Sequence, residues 1–162
     1  QSSLIAIPEQ FLGCWQKDDA ALLINGDGTG EYRQIIDQRQ VVTKYKIRCF
    51  QLDQKVYFDV TMADPDEFNK GIGAAAFQLL LTHNLYKLEA FGDKLNLYWP
   101  NPEKLTKAAE AGTLTLPHTV IKTDNDDSVV VFTAKPEEWE AFLQTHADWI
   151  FANNPETFER QK

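Results

Sequence analysis

Gly13-Cys14-Trp15 opens the stretch that decides the fold of this chain, and it is followed by Ala20-Ala21-Leu22-Leu23-Ile24, by Asn25-Gly26-Asp27-Gly28-Thr29-Gly30 and by Glu31-Tyr32-Arg33-Gln34-Ile35-Ile36. The first segment predicts a strand that carries a large tryptophan side chain. The glycine-rich segment is typical of a tight hairpin turn between the strands on either side of it. Short strands joined by tight turns predict an antiparallel meander, which is the usual route to a small β-barrel.

Residues 41–62 show the alternation expected of a barrel wall. One face of residues 41–52 carries mainly apolar side chains, and the other face carries Lys44, Lys46 and Arg48. Residues 55–62 alternate in the same way, and Asp53-Gln54 between them predicts a turn. We therefore expect a long hairpin with a solvated outer face and an inner face that makes the barrel interior apolar.

The later strands are predicted at 75–82, 85–91, 94–99, 119–123 and 129–133. Two helices are also predicted, one between the third and fourth of these strands and one after the last. The helix near 102–111 has Asn101 as its N-cap, Pro102 at its first position and Gly112 after its end. The helix near 136–150 carries an apolar stripe that includes Trp139 and Phe142, which we expect to dock against the barrel.

The predicted fold class is mainly β. We expect a single antiparallel β-barrel of about eight to ten strands, with two short helices packed outside it. In this interpretation residues 1–10 form an N-terminal tether, and residues 11–162 form one barrel domain.

The composition is that of an ordinary globular domain with an acidic surface. The chain has 162 residues, of which 43% are hydrophobic, and a formal net charge of −8. Nucleic acids and anionic membrane surfaces attract clustered Lys and Arg, so this charge argues against both as partners. The apolar segments are also shorter than the ~18 residues of a membrane-spanning helix.

The first residues resemble a processed N-terminus. The chain begins with Gln1, and its one methionine is Met62. Gln1-Ser2-Ser3 is the kind of polar segment that follows the lipidated cysteine of bacterial lipoproteins. We therefore predict a removed signal peptide, with membrane contact only through an N-terminal lipid anchor.

The second half of the chain resembles a set of bacterial envelope proteins of uncharacterised function, mostly predicted lipoproteins with lipocalin-like barrels. The resemblance lies in the order of short motifs, which are Thr82-His83-Asn84-Leu85-Tyr86-Lys87-Leu88, Gly92-Asp93-Lys94-Leu95, Tyr98-Trp99, Leu116-Pro117-His118, Val131-Phe132-Thr133-Ala134, Glu138-Trp139, Phe142-Leu143 and Phe158-Glu159-Arg160. Gly13-Cys14-Trp15 is similar to the first-strand motif of lipocalins. The resemblance implies a lipocalin-like fold and a location in the periplasm. It also implies that a late arginine, here Arg160, packs across Trp15. It implies no particular reaction.

Two turn segments have partial calcium-loop spacing. Asn25, Asp27 and Thr29 are followed by Gly30 at the sixth position, but the twelfth is Ile36 where a bidentate glutamate is needed. In the other, 124–128, a valine replaces the glycine. The glycines of 25–30 also lack the lysine and the following helix of a phosphate loop. We interpret both segments as hairpin tips and predict no metal and no cofactor.

The residues that could support catalysis are sparse. His83, His118 and His146 lie on different predicted elements, without a His or Cys at metal-ligand spacing. Ser2 and Ser3 belong to the tail and Ser128 to a turn, so no Ser–His–Asp arrangement is predicted. We expect no catalytic residues and no enzyme activity, with a hydrolase kept as an alternative.

The two cysteines, Cys14 and Cys49, suggest one disulfide if the chain is exported. Two buried free thiols are the alternative, because the sequence does not show the spacing that a disulfide needs.

The function that these observations favour is noncatalytic binding of a small apolar ligand or of another envelope protein. We predict that a ligand cavity in the barrel would be lined by Trp15, Tyr45, Ile47, Phe58, Val60, Leu97 and Trp99. An accessory, inhibitor or immunity-type protein is the alternative, and its contact loop would include Asp66, Glu67 and Phe68, where residues 63–73 break the strand pattern.

Overall fold

The computed structural model describes residues 4–36, 38–63, 84–122 and 128–161. Its strands and helices, in chain order, are β1 (Leu4–Ile5), β2 (Gly13–Lys17), β3 (Ala20–Ile24), β4 (Thr29–Ile36), β5 (Arg39–Leu52), β6 (Lys55–Met62), β7 (Asn84–Phe91), β8 (Lys94–Tyr98), α1 (Pro102–Glu110), β9 (His118–Lys122), β10 (Ser128–Phe132), α2 (Pro136–Ile150) and β11 (Glu156–Arg160).

The larger of two compact units is a closed antiparallel barrel of eight strands, as the sequence predicted. The strands follow one another around the barrel from β2 to β8, and β11 closes it by pairing with both β8 and β2. The short strand β1 pairs with β5 outside this ring. The second unit, Tyr98–Asn154, is inserted in the sequence between the seventh and eighth barrel strands.

The alternation of residues 41–62 is confirmed by the register of β5 and β6. Ile47 is paired with Val60, and Cys49 with Phe58. Because side chains alternate across a strand, these four share one face. All four are buried in the apolar core of the barrel.

Residues 4–11 belong to the fold and are not the tether that we expected. Leu4 and Ile5 pair with Phe50 and Cys49 of β5. A short 3-10 turn, Glu9–Phe11, then brings Phe11 into the core, where its ring meets the ring of Phe58 edge-on at a centroid distance of 5.9 Å. The apolar residues of this segment therefore help to plug one end of the barrel.

The plug is completed by Trp15 and Arg160. The fully buried indole of Trp15 donates a hydrogen bond from Nε1 to the carbonyl oxygen of Phe11 at 2.9 Å. The guanidinium of Arg160 lies over the indole, with Cζ 4.1 Å from the ring centroid. It also donates to the carbonyl oxygens of Leu12 at 2.7 Å and Gln10 at 2.8 Å. Arg160 thus occupies the place that the resemblance implied for it.

Gly13 is required at the start of β2. Its φ of +110° is a conformation that other residues rarely adopt, and a Cβ atom added there would lie 3.1 Å from Nη1 of Arg160. The glycine therefore allows the arginine to approach the strand that carries Trp15.

The smaller unit holds the two predicted helices and the β9–β10 hairpin. The side chain of Asn101 accepts a hydrogen bond from the backbone N–H of Lys104 at 3.0 Å, which confirms it as the N-cap of α1. At the start of α2, the carboxylate of Glu138 accepts a hydrogen bond from the backbone N–H of Lys135 at 2.7 Å. Trp139, which we expected to face the barrel, packs on Phe132 of β10 at a centroid distance of 4.9 Å.

Replacement of Gly13 by alanine tests the plug. We expect Gly13→Ala to lower the free energy of unfolding by about 2–4 kcal/mol, because it adds backbone strain and displaces Arg160. Gly92→Ala is the matched control: Gly92 also has a positive φ, of +59°, but nothing lies within 4 Å of its added Cβ. The control should lose only about 1–2 kcal/mol.

The measurement is urea and thermal unfolding followed by circular dichroism. For a chain of this size, each kcal/mol corresponds to roughly 2–4 °C in Tm. Equal losses in the two variants would contradict the proposed role of the Gly13–Arg160 contact.

Candidate functional site

The end of the barrel opposite the plug carries polar side chains on its inner face. We call Lys17, Tyr32, Tyr45, Tyr86 and Glu156 the open-end cluster. All five are only partly buried, although the strand alternation directs them inward. Each of these inward side chains therefore keeps some solvent-accessible surface.

The strand register explains why the two charged members of the cluster point inward. Lys17 follows the buried Trp15 by two residues on β2. Glu156 precedes the buried Phe158 by two residues on β11 and is paired with Leu97. Residues two apart on a strand share a face, and the two side chains meet as Nζ of Lys17 and Oε1 of Glu156 at 2.8 Å.

The tyrosines occupy three neighbouring positions on the same inner face. Tyr32 is paired with Thr43, which is buried, and Tyr86 is paired with Phe58. Tyr45 lies two residues from both Thr43 and Ile47 on β5. All three tyrosines pack against the apolar core below them. Each of the three therefore has an apolar ring on the core and a hydroxyl that can reach the polar end of the barrel.

Burial raises the pKa of all three tyrosine hydroxyls above the ordinary value of 10.0. Burial raises the pKa of Tyr86 to about 12, and Tyr45, Glu156 and Tyr32 add to the shift by charge repulsion. Burial also raises the pKa of Tyr45 and of Tyr32, and Glu156 contributes to the latter. At neutral pH the three side chains are thus neutral phenols that can donate hydrogen bonds.

The charge of Lys17 is held by two carboxylates. The hydrogen bond to Glu156 is the main cause that raises the pKa of Lys17, and the charges of Glu156 and Asp18 add to it against a lowering by burial. The surrounding carboxylates therefore favour the charged form of Lys17. The side chain is nevertheless 39% exposed, and that of Glu156 is 28% exposed.

The barrel interior is consequently not the uniformly apolar space that the sequence suggested. Four of the predicted lining residues, Trp15, Ile47, Phe58 and Val60, belong to the buried core, and Leu97 and Tyr45 are partly buried against it. The remaining one, Trp99, follows β8, belongs to the smaller unit and is 38% exposed.

Sequence reasoning missed most of the cluster for two reasons. Lys17 could have been found, because the alternation that places Trp15 inside also places Lys17 inside. Glu156 could not, because the strand that carries it was not predicted as one and its pairing with β2 and β8 joins distant parts of the chain. Tyr32 and Tyr86 lie on β4 and β7, so they share one lumen with Glu156 only after the strands have closed into a barrel.

The disulfide expected between Cys14 and Cys49 is wrong, since both thiols are free. Cys49 shares the inner face with Phe58 in the core, where burial raises its pKa to about 11. Cys14 alternates with the inward Trp15 and therefore lies on the outer face, where its Sγ is 3.0 Å from Oε1 of Gln161. The two sulfur atoms are on opposite sides of the barrel wall.

The other motifs have structural roles where they are described. Asp27 accepts hydrogen bonds from the backbone N–H and the hydroxyl of Thr29, at 2.9 Å and 2.6 Å, so this segment is a hairpin tip as predicted. Nδ1 of His118 is 2.7 Å from the carbonyl oxygen of Leu116. Among the residues that the structure describes, no group of three or more His, Cys, Asp or Glu side chains could hold a metal ion.

Asp66, Glu67 and Phe68, the predicted contact residues, lie outside the described residues, as does His83.

A small groove of about 210 Å³ lies near the plugged end. Its lining includes Gln10, Phe11, Gln54, Val56, Leu88 and Phe91. Sites for small molecules usually have ~300–1,000 Å³, so this groove is a weaker candidate than the open-end cluster.

Comparison of the chain with protein-family models, with curated proteins and with solved structures found no match. The helices in the described part of the chain are too short or too polar to cross a membrane.

Thiol labelling tests the placement of the cysteines. We expect a thiol-selective disulfide reagent such as 5,5′-dithiobis(2-nitrobenzoate) to modify Cys14 readily in the native protein and Cys49 only after unfolding, because a buried, protonated thiol is a poor nucleophile. Cys14→Ser should abolish the fast phase, and Cys49→Ala should leave it unchanged. A native protein without reactive thiols that gains two after reduction would contradict the assignment.

Alkaline unfolding tests the environment of Tyr86. Its folded pKa of about 12 exceeds the ordinary value of 10.0, so the native state keeps the proton that the unfolded state loses. Its contribution to stability is therefore complete below pH ~10 and is lost as the pH rises toward 12. Urea unfolding of Tyr86→Phe should show a shallower loss of stability between pH 9.5 and about 11.5 than the parent. The pKa of Cys49, about 11, lies in an overlapping range. The variant should therefore keep part of the dependence of stability on pH. Identical slopes for parent and variant would refute a buried Tyr86 hydroxyl.

Proposed function

We propose that this protein is a noncatalytic binding protein of the bacterial cell envelope that takes a small ligand with an apolar body into the open end of its barrel. The observation that carries the proposal is the difference between the two ends. One is sealed by Phe11, Trp15 and Arg160, whereas inward side chains at the other remain accessible to solvent.

The walls near the open end suit the body of such a ligand. Leu22, Leu97 and Tyr45 are inward, only partly buried and packed on the core. Covering apolar surface releases about 25 cal/mol per Å². A ligand that buries about 200 Å² would therefore gain roughly 5 kcal/mol before the costs of association are subtracted.

The chemistry of the cluster supports binding rather than catalysis. Its tyrosines are protonated at neutral pH, and its one carboxylate is engaged by Lys17. General-base and nucleophilic catalysis need a group whose lone pair is available near neutral pH. The envelope location rests on the resemblance in the motifs from Thr82 to Arg160.

Binding of the neutral fluorophore N-phenyl-1-naphthylamine tests the proposal. We expect saturable binding of one probe per chain, with increased emission, because the probe leaves water for an apolar wall. Leu22→Trp should weaken this binding by about tenfold or more by filling the lumen. Leu23→Trp is the matched control, because Leu23 is the next residue of β3 and faces outward beside Cys14.

Equal effects of the two variants, or no saturable binding by the parent, would refute a ligand site in the lumen. The second result would favour the alternative of an accessory, inhibitor or immunity-type protein that acts by protein contact. Circular dichroism of each variant provides the check that the barrel is intact.

A further inference from the structure

The open-end cluster has the chemistry of a cation site in which a side chain of the protein already occupies the place of the cation. Lys17 places its ammonium nitrogen 2.8 Å from Oε1 of Glu156. Its position on β2, two residues beyond Trp15, directs this ammonium toward the inner face of the barrel. Nζ of Lys17 therefore marks a point at which a positive group is accommodated.

The local charge favours a second cation over an anion. The ammonium of Lys17 is hydrogen-bonded to the carboxylate of Glu156, and the charge of Asp18 also stabilises it. An anionic head group would have to compete with both carboxylates for Lys17. It would also approach a chain whose formal net charge is −8, which repels anions at long range.

The tyrosines add a second kind of attraction. Tyr32, Tyr45 and Tyr86 share the inner face with Glu156, and the charge of Glu156 acts on Tyr32 and Tyr86. The faces of aromatic rings attract cations, and aromatic cages hold quaternary ammonium groups in this way. A carboxylate among several tyrosines combines both attractions for one head group.

Displacement of Lys17 is inexpensive, so the ion pair does not block the site. Its side chain is 39% exposed, and a long lysine stem can turn its ammonium into water while its methylene groups stay in place. Exposed ion pairs contribute little to stability, because both charges stay largely solvated. An incoming cation that also buries an apolar body can therefore replace the lysine at Glu156.

We propose that the ligand of the barrel is a cationic amphiphile, an alkylammonium compound whose positive head replaces Lys17 at Glu156 and whose apolar body lies against Leu22 and Leu97. This inference rests on the proposed function, because it specifies the ligand of the same lumen.

The test compares ligands that share a ten-carbon chain and differ in the head group. Decyltrimethylammonium, decanoate and decyl maltoside are titrated by isothermal calorimetry below their micelle concentrations, and each is also used to displace N-phenyl-1-naphthylamine. We expect the cation to bind at least about fivefold more tightly than either of the other two.

Substitutions at the ion pair identify the group that recognises the head. Glu156→Gln should weaken binding of decyltrimethylammonium by about fivefold or more and leave binding of decyl maltoside unchanged. Glu159→Gln is the matched control, because Glu159 is on the same strand but faces outward, paired with Gln16 and Lys94. Lys17→Gln should strengthen binding of the cation, because it removes the competing ammonium.

The outcomes separate this inference from the function on which it rests. If the neutral probe binds but decanoate or decyl maltoside equals the cation, the head-group assignment is overturned and the lumen site stands. The assignment is also overturned if Glu156→Gln and Glu159→Gln have the same effect. If the parent does not bind the neutral probe saturably, the proposed function itself fails.

Discussion

The contact between Trp15 and Arg160 is the constraint on which the rest of the barrel depends. It joins β2 and β11, the two strands whose pairing closes the ring, and it sets their register with Arg160 opposite Trp15. A shift of one residue would turn every side chain of β11 to the other face. The guanidinium also ties the segment before β2 to the last strand, through the carbonyl oxygens of Gln10 and Leu12.

The same pair of strands supplies the charged groups of the open end. With Trp15 and Arg160 in place, the period of two along each strand brings Lys17 and Glu156 to the inner face, where they form their ion pair. A structural contact at one end and a candidate recognition site at the other are thus consequences of a single register. The barrel can therefore be apolar and close-packed at the plugged end and carry polar, partly exposed side chains at the other end.

The smaller unit separates the last barrel strand from the others in the sequence. Tyr98–Asn154 is inserted before the strand that closes the ring, so closure needs a segment that is far from β2 in the sequence. The helices of this unit begin where local signals place them: Asn101 caps α1, and Pro136 follows Lys135 at the start of α2. The apolar stripe of α2, by contrast, has at least one partner within its own unit, since Trp139 packs on Phe132.

The sequence by itself determined the local elements: the hairpin at 25–30, the inward face of β5 and β6, both helices with the N-cap of α1, and the presence of a barrel. These follow from side-chain period and turn chemistry, which act over a few residues. Only the tertiary structure decided that Ile7 and Phe11 join the core, that Cys14 and Cys49 lie on opposite sides of the wall, and that Glu156 meets Lys17. Each of these depends on the pairing of strands that are distant in the chain, and register between distant strands is set by packing in the closed barrel, not by any local pattern.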